Sequence, residues 1–239
     1  MSEPPVLTIV YQDEYLVVID KPSGLLVHRS WIASDAQQFA MQILRDQIGQ
    51  HVFPVHRLDR PTSGLLVFAL SSEVARALNE QFAEREIKKV YHAVVRGYVD
   101  DAGIIDYALK EEHDKIADKQ AQADKPAQEA VTEYQCKARV ELPFKVSKKH
   151  DTSRYSLVKL MPKTGRKHQL RRHMSHIRHP IIGDTRHGEG RHNRFFRDHF
   201  DCHRLMLAAT EIEFTHPVTG ETLNLAIDVP EILKRPFQA

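Results

Sequence analysis

The chain has no apolar run long enough to cross a bilayer. Its longest, Tyr15–Ile19 and Leu65–Leu70, fall far short of the ~20 residues a spanning helix needs. Only two cysteines occur in 239 residues, Cys136 and Cys202. That is too few for a disulfide framework or a four-thiolate zinc site. The opening stretch MSEPPVLTIVYQDEY has no basic segment and no apolar one, so no secretory signal is expected there. Neither G-x-x-x-x-G-K-S/T nor G-x-G-x-x-G is present, which disfavours ATP and dinucleotides, and H-E-x-x-H is missing as well. Repeats and low-complexity tracts are also lacking. The remaining class is a cytoplasmic globular protein with no membrane partner. At 41% hydrophobic and 28% charged residues, the composition suits a packed core that needs no staples.

The net charge of +2 is uninformative as a total, but its distribution is not. Residues 163–197 hold ten Lys/Arg against Asp184 and Glu189, a local +8, together with six of the fifteen histidines. The rest of the chain is correspondingly acidic. A solvated basic face is the plain reading of such a segment. A polyanion site is favoured over it, because the charges are mixed with His, Gln and Asn rather than with balancing acids.

Hydrophobic periodicity predicts short strands at 6–10 and 15–19, a turn at Asp20–Gly24, and a further strand over LLVH (25–28). Residues 35–48 predict an amphipathic helix, capped by Ser34 or Asp35 at its start and by Gly49 at its end. VFPV and then LLVFAL read as strands. A second helix follows over SSEVARALNEQFAEREI, capped by Ser71 or Ser72 and facing the core with Val74, Leu78 and Phe82. KKVYHAVVRGYV alternates with the two-residue period of a strand. Strands are also predicted over VTEYQCKARVEL, SRYSLVKLMP and the two halves of RLMLAATEIEFTHPVTGETLNLAI. A basic helix follows Thr164, residues 110–130 read as a polar flap, and residues 185–203 as an irregular insertion. The expectation is an α+β fold in a single domain, 1–239: a mixed, largely antiparallel sheet flanked by helices and loops.

Three constellations carry candidate chemistry. In His56-Arg57-Leu58-Asp59-Arg60-Pro61-Thr62-Ser63-Gly64, a carboxylate lies between two guanidiniums, which favour its ionised form. It sits in a turn feeding the most apolar strand of the chain, although composition alone would make it a surface Asx turn. In Lys163–His173, Arg166 lies at a turn-to-helix junction, where backbone N–H groups and arginine suit phosphate. The histidines 168, 173, 176, 179, 187 and 192 lack the carboxylate or thiol spacing of a metal site, so no metal and no cofactor is expected. Among arginines, histidines more often face RNA. Tyr91, Trp31 and Tyr155 read, taken alone, as packing aromatics.

Taken in order, these segments resemble the RluA family of pseudouridine synthases. His56–Gly64 is similar to the family signature H-R-L-D-x-x-T-S-G, and YLVVIDKPSG (15–24) to its first motif. Lys89–Ala93 with Gly97 is similar to its tyrosine motif, Pro162–His173 to P-x-T-G-R-x-H-Q-I/L-R-x-H, and His179–Asp184 to H-P-I-x-G-D. The resemblance implies the pseudouridine synthase fold and redox-neutral isomerisation of uridine, in which the N1–C1′ bond breaks and the base rejoins through C5. It assigns catalysis to Asp59, with Arg166 pairing the aspartate and Tyr91 stacking on the base and assisting proton movement at C5. Arg57 would fill the gap left by the flipped base, and Leu170 would form an apolar wall under the ring. Arg171, Arg172, His173, Arg191, Arg194 and Arg197 are expected at the RNA face. Attack of Asp59 at C1′, attack at C6 and abstraction of a sugar proton all remain open.

The family's optional S4-like N-terminal domain is not expected, since strand patterning begins by about Val6. VHRSWI, HRLDRPTSG and DKIADK resemble the branch that isomerises uridine 65 of tRNA. On that reading the 110–130 flap and the 185–203 insertion grip a folded tRNA, and the enzyme is a monomer. The alternatives are a related synthase acting on ribosomal RNA, or a non-catalytic RNA-binding module on the same fold. A metal-dependent nuclease using the histidines is a further rival, one that EDTA would expose.

Overall fold

The computed structural model describes residues 6–28, 38–111 and 126–238. In chain order its elements are β1 (Thr8–Gln12), β2 (Leu16–Lys21), α1 (Ala40–Ile48), β3 (Phe53–Pro54), β4 (Ser63–Ala69), α2 (Ser72–Ala83), β5 (Lys88–Arg96), β6 (Ala102–Asp106), β7 (Val131–Leu142), β8 (Ser153–Pro162), α3 (Gln169–His176), α4 (Gly190–Phe200), β9 (Leu207–Thr215), β10 (Thr222–Ala226) and α5 (Glu231–Lys234). The described residues fall into two compact units, 6–89 with 209–227 and 90–111 with 126–208 and 228–238.

In the first unit, β2 pairs antiparallel with β1 on one side and β4 on the other, with Lys21 opposite Gly64 and Leu16 opposite Ala69. All seven residues of β4 are buried, as a continuous apolar run demands when both faces of a strand are covered. β9 and β10 form an antiparallel hairpin. The core gathers Leu16, Val18, Leu65 and Val67 against Val74, Ala75 and Leu78 of α2.

In the second unit, β5, β8, β7 and β6 pair antiparallel in that order, with a bulge in β7 at Cys136–Ala138. The two-residue period of β5 sorts its side chains between two cores. Ala93 and Val95 pack with Leu170 and Met174 of α3. Val94 packs with Tyr155, Phe196 and Phe200, the latter two from α4.

Several expectations are corrected. LLVH is not a strand beyond one bridge, Leu26 to Phe39. Its carbonyls serve α1 instead: Ala40 N–H donates to Leu26 O at 2.8 Å and Met41 N–H to Val27 O at 3.0 Å. Backbone thereby satisfies donors that a side-chain cap would have taken, and α1 starts at Ala40 rather than 35. Gly49 closes it in the left-handed region, φ 67°, as expected. Ser71 caps α2, its Oγ accepting from Val74 N–H at 3.3 Å.

α2 ends at Ala83, four residues before the predicted end. Arg85 adopts φ 63°, and the Glu86 and Arg85 N–H groups return to the Gln81 and Phe82 carbonyls. That is a Schellman closure without the usual glycine, so no stop signal was visible. Strand β6 was not expected, and the supposedly irregular 185–203 contains the eleven-residue helix α4. Trp31, the caps Ser34 and Asp35, the resemblance in VHRSWI beyond His28, DKIADK and most of the 110–130 flap lie outside the described residues.

Candidate active site

The Asp59 turn belongs to the first unit. Its Thr62 N–H donates to the Asp59 carbonyl at 3.0 Å, closing the turn just before β4. Leu58 is buried, Asp59 half-buried, and Arg57 and Arg60 exposed. Gly64 ends the motif for a steric reason: it has φ 109°, and a Cβ there would overlap the backbone of Ala209.

The turn is fastened to the Pro22–Gly24 loop by several hydrogen bonds. Gly24 N–H donates to Arg60 O at 2.8 Å, Arg60 Nε to Gly24 O at 3.0 Å, and Ser23 Oγ to Pro61 O at 2.6 Å. At their centre lies Lys21, fully buried, whose Nζ donates to the carbonyls of Pro22 (2.9 Å), Leu25 (2.8 Å) and Arg60 (3.2 Å). An ammonium taken out of water is tolerable only with such acceptors. Lys21 is not among the expected site residues. The available signal was a lysine one residue after the apolar run LVVI, opening a P-S-G turn.

His56 fastens the other end. Its Nε2 accepts from Val67 N–H of β4 at 3.0 Å, and its ring lies tilted on Phe82 at 4.9 Å between centroids. Burial first, then the nearby Lys89 ammonium, pushes its pKa down to about 3. The imidazole is therefore neutral at physiological pH, with its proton on Nδ1.

Tyr91 and Arg166 belong to the second unit. Tyr91 sits on β5 opposite Leu160 of β8 and packs, half-buried, on the cluster that contains Leu170. Arg166 lies in the turn before α3, half-buried, its Nε donating to Glu129 O at 3.0 Å. The turn's organiser is Gln169, a second residue not singled out beforehand. Its Oε1 accepts from Thr164 Oγ1 (2.7 Å) and Arg166 N–H (3.0 Å). Its Nε2 donates to Val131 O and Thr132 Oγ1, both at 3.0 Å. Every bonding position of the buried amide is thereby used to hold this turn against β7.

Two residues expected to touch RNA do not face solvent. Arg171 is buried and makes a bidentate pair with Asp184. His173 is buried, its Nδ1 2.9 Å from Thr132 Oγ1 and its Nε2 3.0 Å from Tyr107 O. Both lie on the inner face of α3, where their polar groups meet protein partners instead of phosphate. Arg172 is half-buried and donates to Lys110 O at 2.9 Å.

α4 presents a different surface. His192, Phe196 and Phe200 face inward at four-residue spacing, and the His192 ring lies 2.8 Å from the buried Tyr155 hydroxyl. Arg191, Arg194 and Arg197 are exposed, together with a single acid, Asp198. Among the described residues these three arginines have no hydrogen-bond or ion-pair partner, and neither has Arg57. The exposed Arg45, Arg76, Arg139 and Arg154, by contrast, all pair with carboxylates.

The histidines are dispersed. His168 and His187 approach each other at 3.1 Å, His176 stacks on Tyr107, and His179 bonds the Arg96 carbonyl at 2.8 Å. Among the described residues no group of three or more His, Cys, Asp or Glu could hold a metal ion, and no helix is long and apolar enough to cross a membrane.

This arrangement is a mainly antiparallel α+β scaffold carrying an aspartate turn, a strand tyrosine and an arginine turn before a basic helix. It is that of an RNA pseudouridylate synthase. Residues 15–176 match the model of the RNA pseudouridylate synthase family, and the chain belongs to that family. It is an isomerase that converts uridine to pseudouridine. Among the curated relatives, the chain is 58% identical over 98% of its length, and 95% of the relative's, to tRNA pseudouridine synthase C of Vibrio parahaemolyticus. It is 60% identical to the protein of that name from Vibrio cholerae, covering 95% and 92% of the two chains. Among solved structures, Human RNA Pseudouridylate Synthase Domain Containing 4 superposes with a TM-score of 0.71 at 26% identity, covering 97% of this chain and 92% of that one. Human RNA Pseudouridylate Synthase Domain Containing 1 does so with 0.72 at 25%, covering 95% and 85%.

Proposed function

We propose that this enzyme acts on tRNA, with uridine 65 as its target, and that Asp59 carries the chemistry. The supporting observation is near full-length identity of 58–60% to relatives named for tRNA, combined with an intact Asp59, Tyr91 and Arg166. In this reading the N1–C1′ bond breaks at Asp59, the base turns, C5 bonds to C1′, and the C5 proton leaves while N1 gains one. Tyr91 supplies a ring face to the base, with Leu170 as part of the apolar wall behind it. Arg166 is assigned to the Asp59 carboxylate, which a planar guanidinium suits by its paired N–H donors. Arg57, exposed and without a protein partner among the described residues, is assigned to the gap in the RNA stack.

The RNA backbone is assigned to Arg191, Arg194 and Arg197, and also to Arg172. A polyanion supplies the partners that α4 does not find within the described protein. The enzyme acts in the cytoplasm, as a monomer and without metal, so EDTA should leave turnover intact.

Pseudouridine mapping of tRNA and rRNA from cells with and without the gene tests the assignment. Loss of pseudouridine at tRNA position 65 alone is the expected result. An rRNA target, with position 65 unaffected, overturns the tRNA reading and leaves family membership standing.

A further inference from the structure

Tyr107 follows β6 and is 45% exposed, although it is a large aromatic. Its ring stacks on the exposed His176 of α3, with centroids 3.6 Å apart and planes 17° from parallel. Among the described residues neither the Tyr107 hydroxyl nor the His176 ring nitrogens have a hydrogen-bond partner. Tyr107 and His176 thus form a stacked aromatic pair that stays partly open to solvent.

The surface is held firmly from behind. Tyr107 N–H donates to Ala130 O at 3.1 Å, and the Tyr107 carbonyl meets the buried His173 Nε2 at 3.0 Å. Two residues on, Leu109 and Gln128 exchange N–H···O bonds of 2.8 and 3.0 Å. Arg172 ties the Lys110 carbonyl from the same helix that carries His176. A stack made only for packing would not need its backbone fixed on both sides while its rings stay partly exposed. A binding platform would, because ordering before contact lowers the cost of binding.

We propose that the Tyr107–His176 stack is a nucleobase-stacking subsite for the RNA substrate, separate from the residues assigned to the reaction. The occupant is an unpaired or terminal base, because only an unstacked base offers its whole π face to an aromatic side chain. The free phenol and imidazole groups lie where they can meet base edges or 2′-hydroxyls. Arg172 adds positive charge beside them. Protein His173, behind the platform, is then a positioning residue, which gives a physical use to a histidine that does not itself reach solvent. The inference rests on the reading of tRNA as substrate.

The test is the affinity of an unmodified tRNA transcript for the whole enzyme at one fixed salt concentration, with thermal melting as the check on folding. Tyr107→Ala should weaken binding by about tenfold or more, the scale of one lost base–aromatic stack. Tyr107→Phe keeps the ring face and should stay close to wild type. His176→Ala, at an exposed position, should also weaken binding while leaving the melting temperature in place. Tyr98→Ala is the control, since that exposed tyrosine already has Arg154 over its ring at 5.1 Å. Wild-type affinity in both Tyr107→Ala and His176→Ala overturns the subsite, as does a loss in Tyr107→Phe equal to that in Tyr107→Ala. A wild-type enzyme that binds no tRNA overturns the substrate reading and the subsite together.

Discussion

Arg171 and Asp184 form a buried, two-pronged ion pair, Nε to Oδ2 at 2.7 Å and Nη2 to Oδ1 at 2.9 Å. The same carboxylate accepts the Arg186 and His187 N–H groups, both at 2.9 Å, so one side chain joins α3 to the loop leading into α4. Burial acts to raise the Asp184 pKa, but the Arg171 guanidinium and the two N–H donors outweigh it and hold the carboxyl below its ordinary value. Removing one partner strands the other. Arg171→Met should cost roughly 3–5 kcal/mol in urea unfolding. The native pKa lies below the unfolded one, so the carboxylate's contribution is full above the ordinary carboxylate range and is lost as pH falls through it towards the native value. Wild type should therefore lose more stability on acidification than Asp184→Asn does.

Asp59→Asn should keep the fold and RNA affinity but lose turnover by more than about a hundredfold, ~2.7 kcal/mol in barrier, read by tritium release from 5-tritiated uridine in tRNA. Activity within about tenfold of wild type removes Asp59 from the chemistry. Arg166→Lys retains the charge without the planar fork, and should slow the same reaction by roughly tenfold.

The α4 arginines predict a salt effect. Replacing Arg191, Arg194 and Arg197 with Gln should lower the slope of log affinity against log salt by roughly 2, if each meets a phosphate. An unchanged slope returns them to an ordinary solvated face.

His56 predicts a second acid effect of distinct range. Its native pKa of about 3 lies under the ordinary 6.5, so the unfolded chain binds the proton first as pH drops. Its contribution is complete above pH ~6.5 and declines by about 1.4 kcal/mol per pH unit towards the native value. His56→Gln keeps an acceptor for Val67 N–H but cannot titrate. Its stability deficit relative to wild type should shrink by about 2 kcal/mol between pH 7 and pH 5 in urea titrations.

Much of this was legible because it follows from local pattern. The run Leu65–Leu70 had to be a strand covered on both faces, and Gly49 and Ser71 ended and started helices by their own chemistry. Asp59 and Arg166 stood out through motif resemblance, not through composition. What escaped depends on partners distant in sequence. Arg171 and Arg191 are the same residue type in one basic segment, yet Asp184 draws the first inward and no partner among the described residues draws the second. α4 was hidden because a histidine, His192, begins its inward stripe. Gln169 and Lys21 were overlooked because their value lies in carbonyls supplied by residues as far away as Val131 and Arg60.

The Lys21 ammonium also has a consequence for motion. Three carbonyls from two loops converge on it, and opening either loop would leave a charge in the interior. The loops should therefore breathe together, with Arg60 unable to detach while Gly24 stays in place. The Gly24 amide, bonded to Arg60 O, becomes a spectroscopic reporter of the aspartate turn. Its hydrogen-exchange rate in the free enzyme measures how often the turn that carries Asp59 comes away from the Pro22–Gly24 loop.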